Sequence, residues 1–546
     1  MPRSLRVALA QLEARDLSDH KRAWDELLRA IDDAAAHEPH LVVLPEASYP
    51  GYFLQSLQAY EAAGVHSDRQ ILDTLGERAA RHGIHLAAGL VLHAPGGGLQ
   101  NVCVIFDPAG REVGRYAKSF LWHFDRTWFE AGDHFPVFDL QIPDLGPVRT
   151  GVLICSDSRL EEISRAYAVE GARLLIDPTA WVSAGRDPAH LSNPQIEFLM
   201  PARAIENGTW VVCADKTGTE ARSLVYAGQS GVIDPGGKWV VRAPSDGSGI
   251  VVHELNLDAA LGPPIERRPE LYQDLATPID DSEAARLARD PLIAEDAAAR
   301  VGGAALNALP SVVELIEGAR QLVRAATAQN AALVVLPDLA GSDPRAITER
   351  ECLPLLEALA AECSTIITAI LAERTDNKTY KTQYLISPSG VVASHRQTHL
   401  SRRERQAGFS TGDQPPPVVE TLIGRVGLLS GVEGLVPELA QSLKLRGSEL
   451  IAWSAGDIGV PLRTIARARA LEHHCYVVAA GDCGINGGGY VVAPAGGVLT
   501  ETLSGEAMVM TADMNRLFAR WNDMAPGTNP LRDRAALHQG RVLKTS

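Results

Sequence analysis

The chain has 546 residues, 46% hydrophobic and 22% charged, which is the composition of ordinary globular protein and too long for one typical domain. Its 67 acidic residues against 51 basic ones give a formal charge of -16 with no Lys/Arg block, which sets nucleic acid and anionic membrane surfaces aside as partners. No apolar run reaches the roughly 18 to 20 residues of a spanning helix, the N-terminal MPRSLRVALAQLEARD lacks a signal peptide's apolar core, and seven scattered cysteines form no C-x-x-C pair, so a reducing, cytoplasmic location is expected.

In chain order, SDHKRAWDELLRAIDDAAAHE comes first, with Trp24, Leu27, Leu28 and Ile31 at helical spacing behind Ser18 as candidate N-cap. HLVVLPE follows as a short buried strand ending on a carboxylate, Glu46. The Gly-rich stretches APGGGLQN and DPGGKW lack the spacing of a phosphate-binding loop and read as hairpin turns. RYAKSFLWHFD places Lys118 after another strand-like segment. VRTGVLICSDSRLEE reads as an apolar strand, a polar turn and a helix, which holds Cys155 at a sharp strand-to-helix turn.

The same order then returns. AALVVLPD at 331–338 repeats HLVVLPE behind a helix with Val312, Leu315, Ile316, Ala319, Leu322 and Val323 on one face. GVVASHRQTHL answers GREVGRYAKSF, FSTGD answers FEAGD, GLLSGVEGLVPE answers GVLICSDSRLEE, and ARALEHHCYVVAAGD answers ARAIENGTWVVCAD. Matched segments that keep their order define a tandem repeat, with a first copy over 1–278, a helical or flexible connector over 279–299 and a second copy over 300–546. The alternation of strand and helix predicts α/β architecture in both copies. In such folds strand ends share a crevice, so Glu46, Lys118 and Cys155 can converge: a carboxylate to take the thiol proton, and an ammonium to favour the thiolate and stabilise an oxyanion. Taken singly, each has a structural alternative, as exposed acid, solvated lysine or buried small hydrophobe.

Together, in this order and with these neighbours, the residues resemble the nitrilase, or carbon-nitrogen hydrolase, superfamily, through LPE at 44–46, YAK at 116–118 and ICSD at 154–157. ARAIEN at 202–207, YAGQSGVIDPGG at 226–237 and RRPELY at 267–272 are also similar to segments of that family. The resemblance implies two tandem four-layer αββα sandwich domains and thiol chemistry on a non-peptide carbon-nitrogen bond, with no metal or organic cofactor. It implies Cys155 as nucleophile, Glu46 as general base and later acid, and Lys118 as oxyanion stabiliser with the backbone N–H of Ser156. Aligning LWHFDRTWFEAGD on Phe129 and Gly132 puts Asp125 where many members carry a second glutamate, with Glu130 a lesser alternative. Tyr52, Trp122 and Trp181 are candidate pocket walls, against the alternative that they are core. Arg203 and Glu206 read as a structural ion pair, and the adjacent histidines of EHHC at 472–475 do not face one point, so no metal is expected there.

In the second copy Asp338, Gln397 and Gly431 stand where the first has Glu46, Lys118 and Cys155. Ser430 lies one place early and has no evident base. The second copy is therefore expected to be a degenerate partner domain, and the resemblance implies an intrachain pseudo-dimer with room for further homo-oligomers.

Ser156 stands where true nitrilases place Trp, which disfavours nitriles. Ser158 replaces the first of two arginines that N-carbamoyl amino acid hydrolases carry, leaving Arg159. The preferred substrate is a small or medium carboxamide cleaved to acid and ammonia, with N-carbamoyl compounds second. The rival from another class is a non-catalytic binding or scaffold protein.

Overall fold

The computed structural model describes residues 4–290, 297–307, 311–341, 349–375, 377–534 and 542–543. By packing, the chain divides into two compact units. The first is built on residues 1–264 with 525–528 and 533–542, and the second on 265–524 with 529–532 and 543–546. Of the connector expected over 279–299, residues 291–296 lie outside the described residues, while Glu283–Arg289 form a helix that belongs to the second unit.

The first unit starts with β1 (Ser4–Glu13), helix α1 (His20–Ala35) and β2 (Leu41–Val43). Ser18 does not cap α1: Leu17–Asp19 form a 3-10 turn that runs straight into the helix, and Asp19 takes the cap position without a side-chain bond. Short α2 (Leu57–Ala62) and α3 (Asp68–His82) then lead to β3 (His85–His93), β4 (Leu99–Phe106) and β5 (Glu112–Ala117). Ser67 and Gln70 form a capping box at the start of α3, and Gly83 ends it in the left-handed conformation.

After β6 (Phe138–Ile142) and β7 (Gly146–Val152) come α4 (Glu161–Val169), β8 (Leu174–Pro178), α5 (Met200–Asn207) and β9 (Trp210–Ala214). The unit closes with β10 (Lys216–Glu220), β11 (Leu224–Ala227), β12 (Gly231–Ile233), β13 (Trp239–Arg242) and β14 (Gly249–Asn256). One sheet runs β11-β10-β1-β2-β3-β4-β5 with β14 paired to β1, and the other runs β13-β12-β9-β8-β7-β6. Both Gly-rich segments are hairpin turns, between β3 and β4 and between β12 and β13.

Period-2 alternation builds the layers. On β1, Leu5, Val7 and Leu9 enter one continuous core with Val152, Ile176 and Val212 of the second sheet. The intervening Ala8, Ala10 and Leu12 face Leu27 and Ile31 of α1 and Ile71 and Leu75 of α3. Ile163, Tyr167, Met200 and Ala204 of α4 and α5 join the core from the second sheet's side. The unit is thus an αββα sandwich. Its parallel strands are buried on both faces, which is why HLVVLPE and GVLIC read as unbroken apolar runs.

The second unit repeats the plan. Helix Val312–Thr327, capped by Ser311, buries Leu315, Ile316, Ala319, Leu322 and Val323. Among the described residues its strands join into one 12-stranded sheet, because Ala305 pairs with Gly481. Buried ion pairs at matching places mark the duplication: Arg203 with Glu206 in the first unit, and Arg469 with Glu472 in the second.

Candidate active site

Three strand ends meet in the first unit. Beyond β2 the chain turns at Glu46, and Gly89 of β3 lets the turn press close: a Cβ there would lie 2.1 Å from the Pro45 carbonyl oxygen and 2.8 Å from the Glu46 Cα. Lys118 follows β5, its backbone N–H bonded to the Asn101 carbonyl of β4. Cys155 follows β7 and opens a 3-10 turn over Cys155–Arg159 that leads into α4. Its φ of +50° is in the left-handed region, a strained position for a non-glycine residue that re-aims the side chain. The strain is held by named bonds. The Cys155 N–H donates to Asp177 Oδ1 at 2.8 Å, and its carbonyl accepts from Gln195 Nε2 at 2.7 Å and Ser158 Oγ at 2.9 Å.

Asp157 ties the cysteine turn to the lysine strand. Its Oδ1 accepts from the N–H groups of Ser119 and Phe120, and its Oδ2 from the Ile154 N–H and the Tyr116 hydroxyl. Ser156 Oγ adds a 2.7 Å bond to the Phe120 carbonyl. These bonds hold the segment around Lys118, through Tyr116, Ser119 and Phe120, against the turn that carries Cys155.

Lys118, Glu46 and Asp125 are fully buried. Lys118 Nζ lies 2.8 Å from Glu46 Oε1 and 2.8 Å from Asp125 Oδ2. Asp125 is saturated: Oδ2 also accepts from the Trp122 N–H at 3.0 Å, and Oδ1 takes the Tyr52 hydroxyl. Glu46 is not. Its Oε1 takes Lys118 and the Asn101 amide at 2.6 Å, while Oε2 is buried with no hydrogen-bond partner among the described residues. Two carboxylates share one ammonium, and the open lone pairs of the cluster are on Glu46.

The electrostatics follow from this burial. Desolvation and the Glu46 carboxylate push the Cys155 thiol well up, and Lys118 pulls against them, so the resting group is a thiol beside a carboxylate. Burial works against the Lys118 ammonium, but Asp125 and then Glu46 outweigh it and hold the lysine charged. Burial, with Asp125 next, raises the Tyr52 phenol, which keeps it a donor. Tyr52→Phe strands an oxygen of Asp125 and is expected to cost about 1–3 kcal/mol of stability, read by denaturant unfolding.

The sequence-derived residues fall into two groups. Glu46, Lys118, Asp125, Cys155 and Tyr52 are brought together, and Ser156 adjoins them in the turn. Glu130 is exposed and its N–H bonds to Leu99, so it is Asp125 that stands against the lysine. Arg159 stacks on Trp122, with its guanidinium carbon 4.4 Å from the ring centroid. It is 8% exposed, its pKa is lowered to about 10 by burial, and no carboxylate among the described residues pairs with it. Trp181 is fully buried within the sandwich core, its backbone N–H held by Asp215. Sequence reasoning missed Asn101, Asp177 and Gln195. The signal available was faint: a lone Asn inside the apolar strand LQNVCVIF, and an Asp closing LLIDP.

The chain is similar to known proteins in both of its repeats. The carbon-nitrogen hydrolase family profile matches residues 6–260 and 300–522. An omega-amidase NIT2 of Danio rerio is 30% identical over 277 residues, covering 49% of this chain and 96% of that protein. A probable nitrilase of Schizosaccharomyces pombe is 28% identical over 285 residues, covering 50% and 98%. Among solved structures, an amidase from Nesterenkonia sp. is 27% identical with a TM-score of 0.40, covering 49% of this chain and 94% of that one. With both repeats matched, the chain belongs to the carbon-nitrogen hydrolase family and is an amidase-type hydrolase.

Proposed function

We propose that the first unit hydrolyses a small carboxamide carrying a carboxylate at its far end, giving a dicarboxylic acid and ammonia. The observation that carries the chemistry is the unpartnered Oε2 of Glu46 beside the raised Cys155 thiol. Glu46 takes the thiol proton as Sγ attacks the amide carbon. The oxyanion that forms meets the Lys118 ammonium and the Ser156 N–H. Glu46 returns the proton to the nitrogen, the carbon–nitrogen bond breaks and ammonia leaves a thioester. Water, deprotonated by Glu46, then attacks the thioester, releasing the acid and restoring the thiol. Asp125 acts through Lys118 as a positioning residue.

The far-end carboxylate is inferred from Arg159, a buried guanidinium without a carboxylate partner among the described residues. Burial without a counter-ion is costly, and a substrate carboxylate offsets that cost. An omega-amidase among the relatives is consistent with this reading. Ser158 gives no support to N-carbamoyl substrates: its hydroxyl is committed between the Cys155 carbonyl and Gln195.

The test is ammonia release from paired amides, one neutral and one bearing a terminal carboxylate. Arg159→Met is expected to lower kcat/KM on the carboxylate-bearing amide by roughly 10- to 100-fold while leaving the neutral amide within a few-fold. Equal losses on both amides would remove the carboxylate from the proposal.

A further inference from the structure

The second unit has lost its thiol and kept its charges. Gly431, with φ +52°, occupies the left-handed turn that Cys155 holds in the first unit. Gln397 lies against that glycine: a Cβ on Gly431 would meet its Oε1 at 2.7 Å. The lysine has moved rather than vanished. Gln397 N–H donates to the Lys381 carbonyl just as Lys118 N–H donates to that of Asn101, so Lys381 holds the register of Asn101 one strand over. From there its Nζ reaches Asp338, in the place of Glu46, at 2.5 Å and Glu404 at 2.9 Å. Glu404 follows Gln397 by the same 7 residues that separate Asp125 from Lys118. Both carboxylates of the active-site cluster are therefore kept in place, and the central ammonium is rebuilt from a different position.

Nothing structural demands this. Three ionised side chains taken from water are a poor way to stabilise a core, and apolar replacements are commonly neutral or better. The cluster does not sit in packed core, however. It opens on a cavity of about 180 Å³ lined by Lys381, Asp338, Glu404, Asn307, Asp457 and Asp482. Roughly 10–15 Å³ on this scale holds one water, so the space suits a small molecule. Lys381 is buried to within 5% of full cover. Two of its three N–H donors are committed to Asp338 and Glu404; Nζ also lies 5.1 Å from the centroid of the Phe409 ring, and the third donor has no oxygen or nitrogen acceptor among the described residues.

We infer that the second unit binds, without cleaving, a small primary carboxamide in this cavity. The amide oxygen accepts the third N–H of Lys381, and the amide NH2 donates to the surrounding carboxylates. A free carboxylate ligand fits poorly, because four acidic groups, Asp338, Glu404, Asp457 and Asp482, already outnumber Lys381 and Arg403 in the lining. A simple ammonium fits less well than an amide, because it leaves the Lys381 donor unpaired. The amide meets both requirements and carries no charge.

The full chain carrying Cys155→Ala is titrated with butyramide by calorimetry. Adding Lys381→Met is expected to remove one binding site per chain, or to weaken it at least about tenfold. Asp457→Trp, on the half-exposed wall, fills the opening without touching the buried ammonium and is expected to do the same. It keeps the test valid should the lysine variant misfold. A butyramide isotherm that neither substitution changes overturns the inference. So does tighter binding of n-butylammonium than of butyramide at the Lys381-dependent site. Catalysis by the first unit is read separately, as Cys155-dependent ammonia release, so the two readings fail independently.

Discussion

Replacing Cys155 by Ala is expected to abolish amide hydrolysis, with a loss of roughly 10⁴- to 10⁶-fold in kcat, because no thioester can form. Binding should survive: Asp177, Gln195 and Ser158 hold the turn through the backbone atoms of residue 155, not through its thiol. Incubation of wild-type protein with substrate, followed by intact-mass detection, should trap an acyl adduct that the variant lacks. The second unit should not compensate. Ser430 Oγ is buried and donates to Gln383, so it has no route to a substrate carbonyl. Residual hydrolysis within tenfold of wild type in Cys155→Ala would place the chemistry elsewhere.

Lys118→Met is expected to damage both activity and fold. It removes the charged partner of the oxyanion, for a loss of about 10²- to 10³-fold or more in kcat. It also leaves Glu46 and Asp125 facing each other, fully buried, without their shared cation. Breaking a buried ion pair from one side costs about 3–5 kcal/mol. The pH dependence distinguishes this from a packing defect. In the wild type the lysine pKa is raised, so its contribution is present in full below the unfolded value near 10.5 and is lost only as pH rises through the folded value. Neutral-range pH should therefore leave wild-type stability at this site unchanged. Lys118→Met has no ammonium there to lose, so the stability gap between the two proteins should shrink as pH rises above about 10.5, where a packing defect alone would leave the gap constant. Calorimetric melts of both proteins from neutral into alkaline pH decide the point.

Much of this was legible in the sequence because the information is local or repetitive. An apolar run buried on both faces announces a parallel strand, and Cys155 between such a run and a polar helix start announces a turn. The tandem repeat was visible because order is preserved even where residues change. The expectation that the second copy is inert rests on the missing thiol at Gly431.

Other features depended on which strands became neighbours. Asn101 and Lys381 look alike in being buried polar residues on strands, and nothing near them in sequence says that each aims at the same cluster. Only the pairing of β4 with β5, and of its counterpart strands in the second unit, makes Lys381 the substitute for the lysine lost at 397. The sequence separated the two acids only through the family resemblance, and no neighbouring residue gave a physical reason for the difference. Glu46 and Asp125 are chemically near-equivalent carboxylates. It is the Tyr52 hydroxyl and the Trp122 N–H, drawn from distant loops, that saturate Asp125 and leave an oxygen of Glu46 open. The sequence by itself determined the family, the repeat and the turn that carries Cys155, since these are written in residue type and order. Only the tertiary structure decided which carboxylate keeps an unpartnered oxygen and which cation lies against the acids in each unit, because hydrogen-bond saturation and burial arise only between segments brought together by the fold.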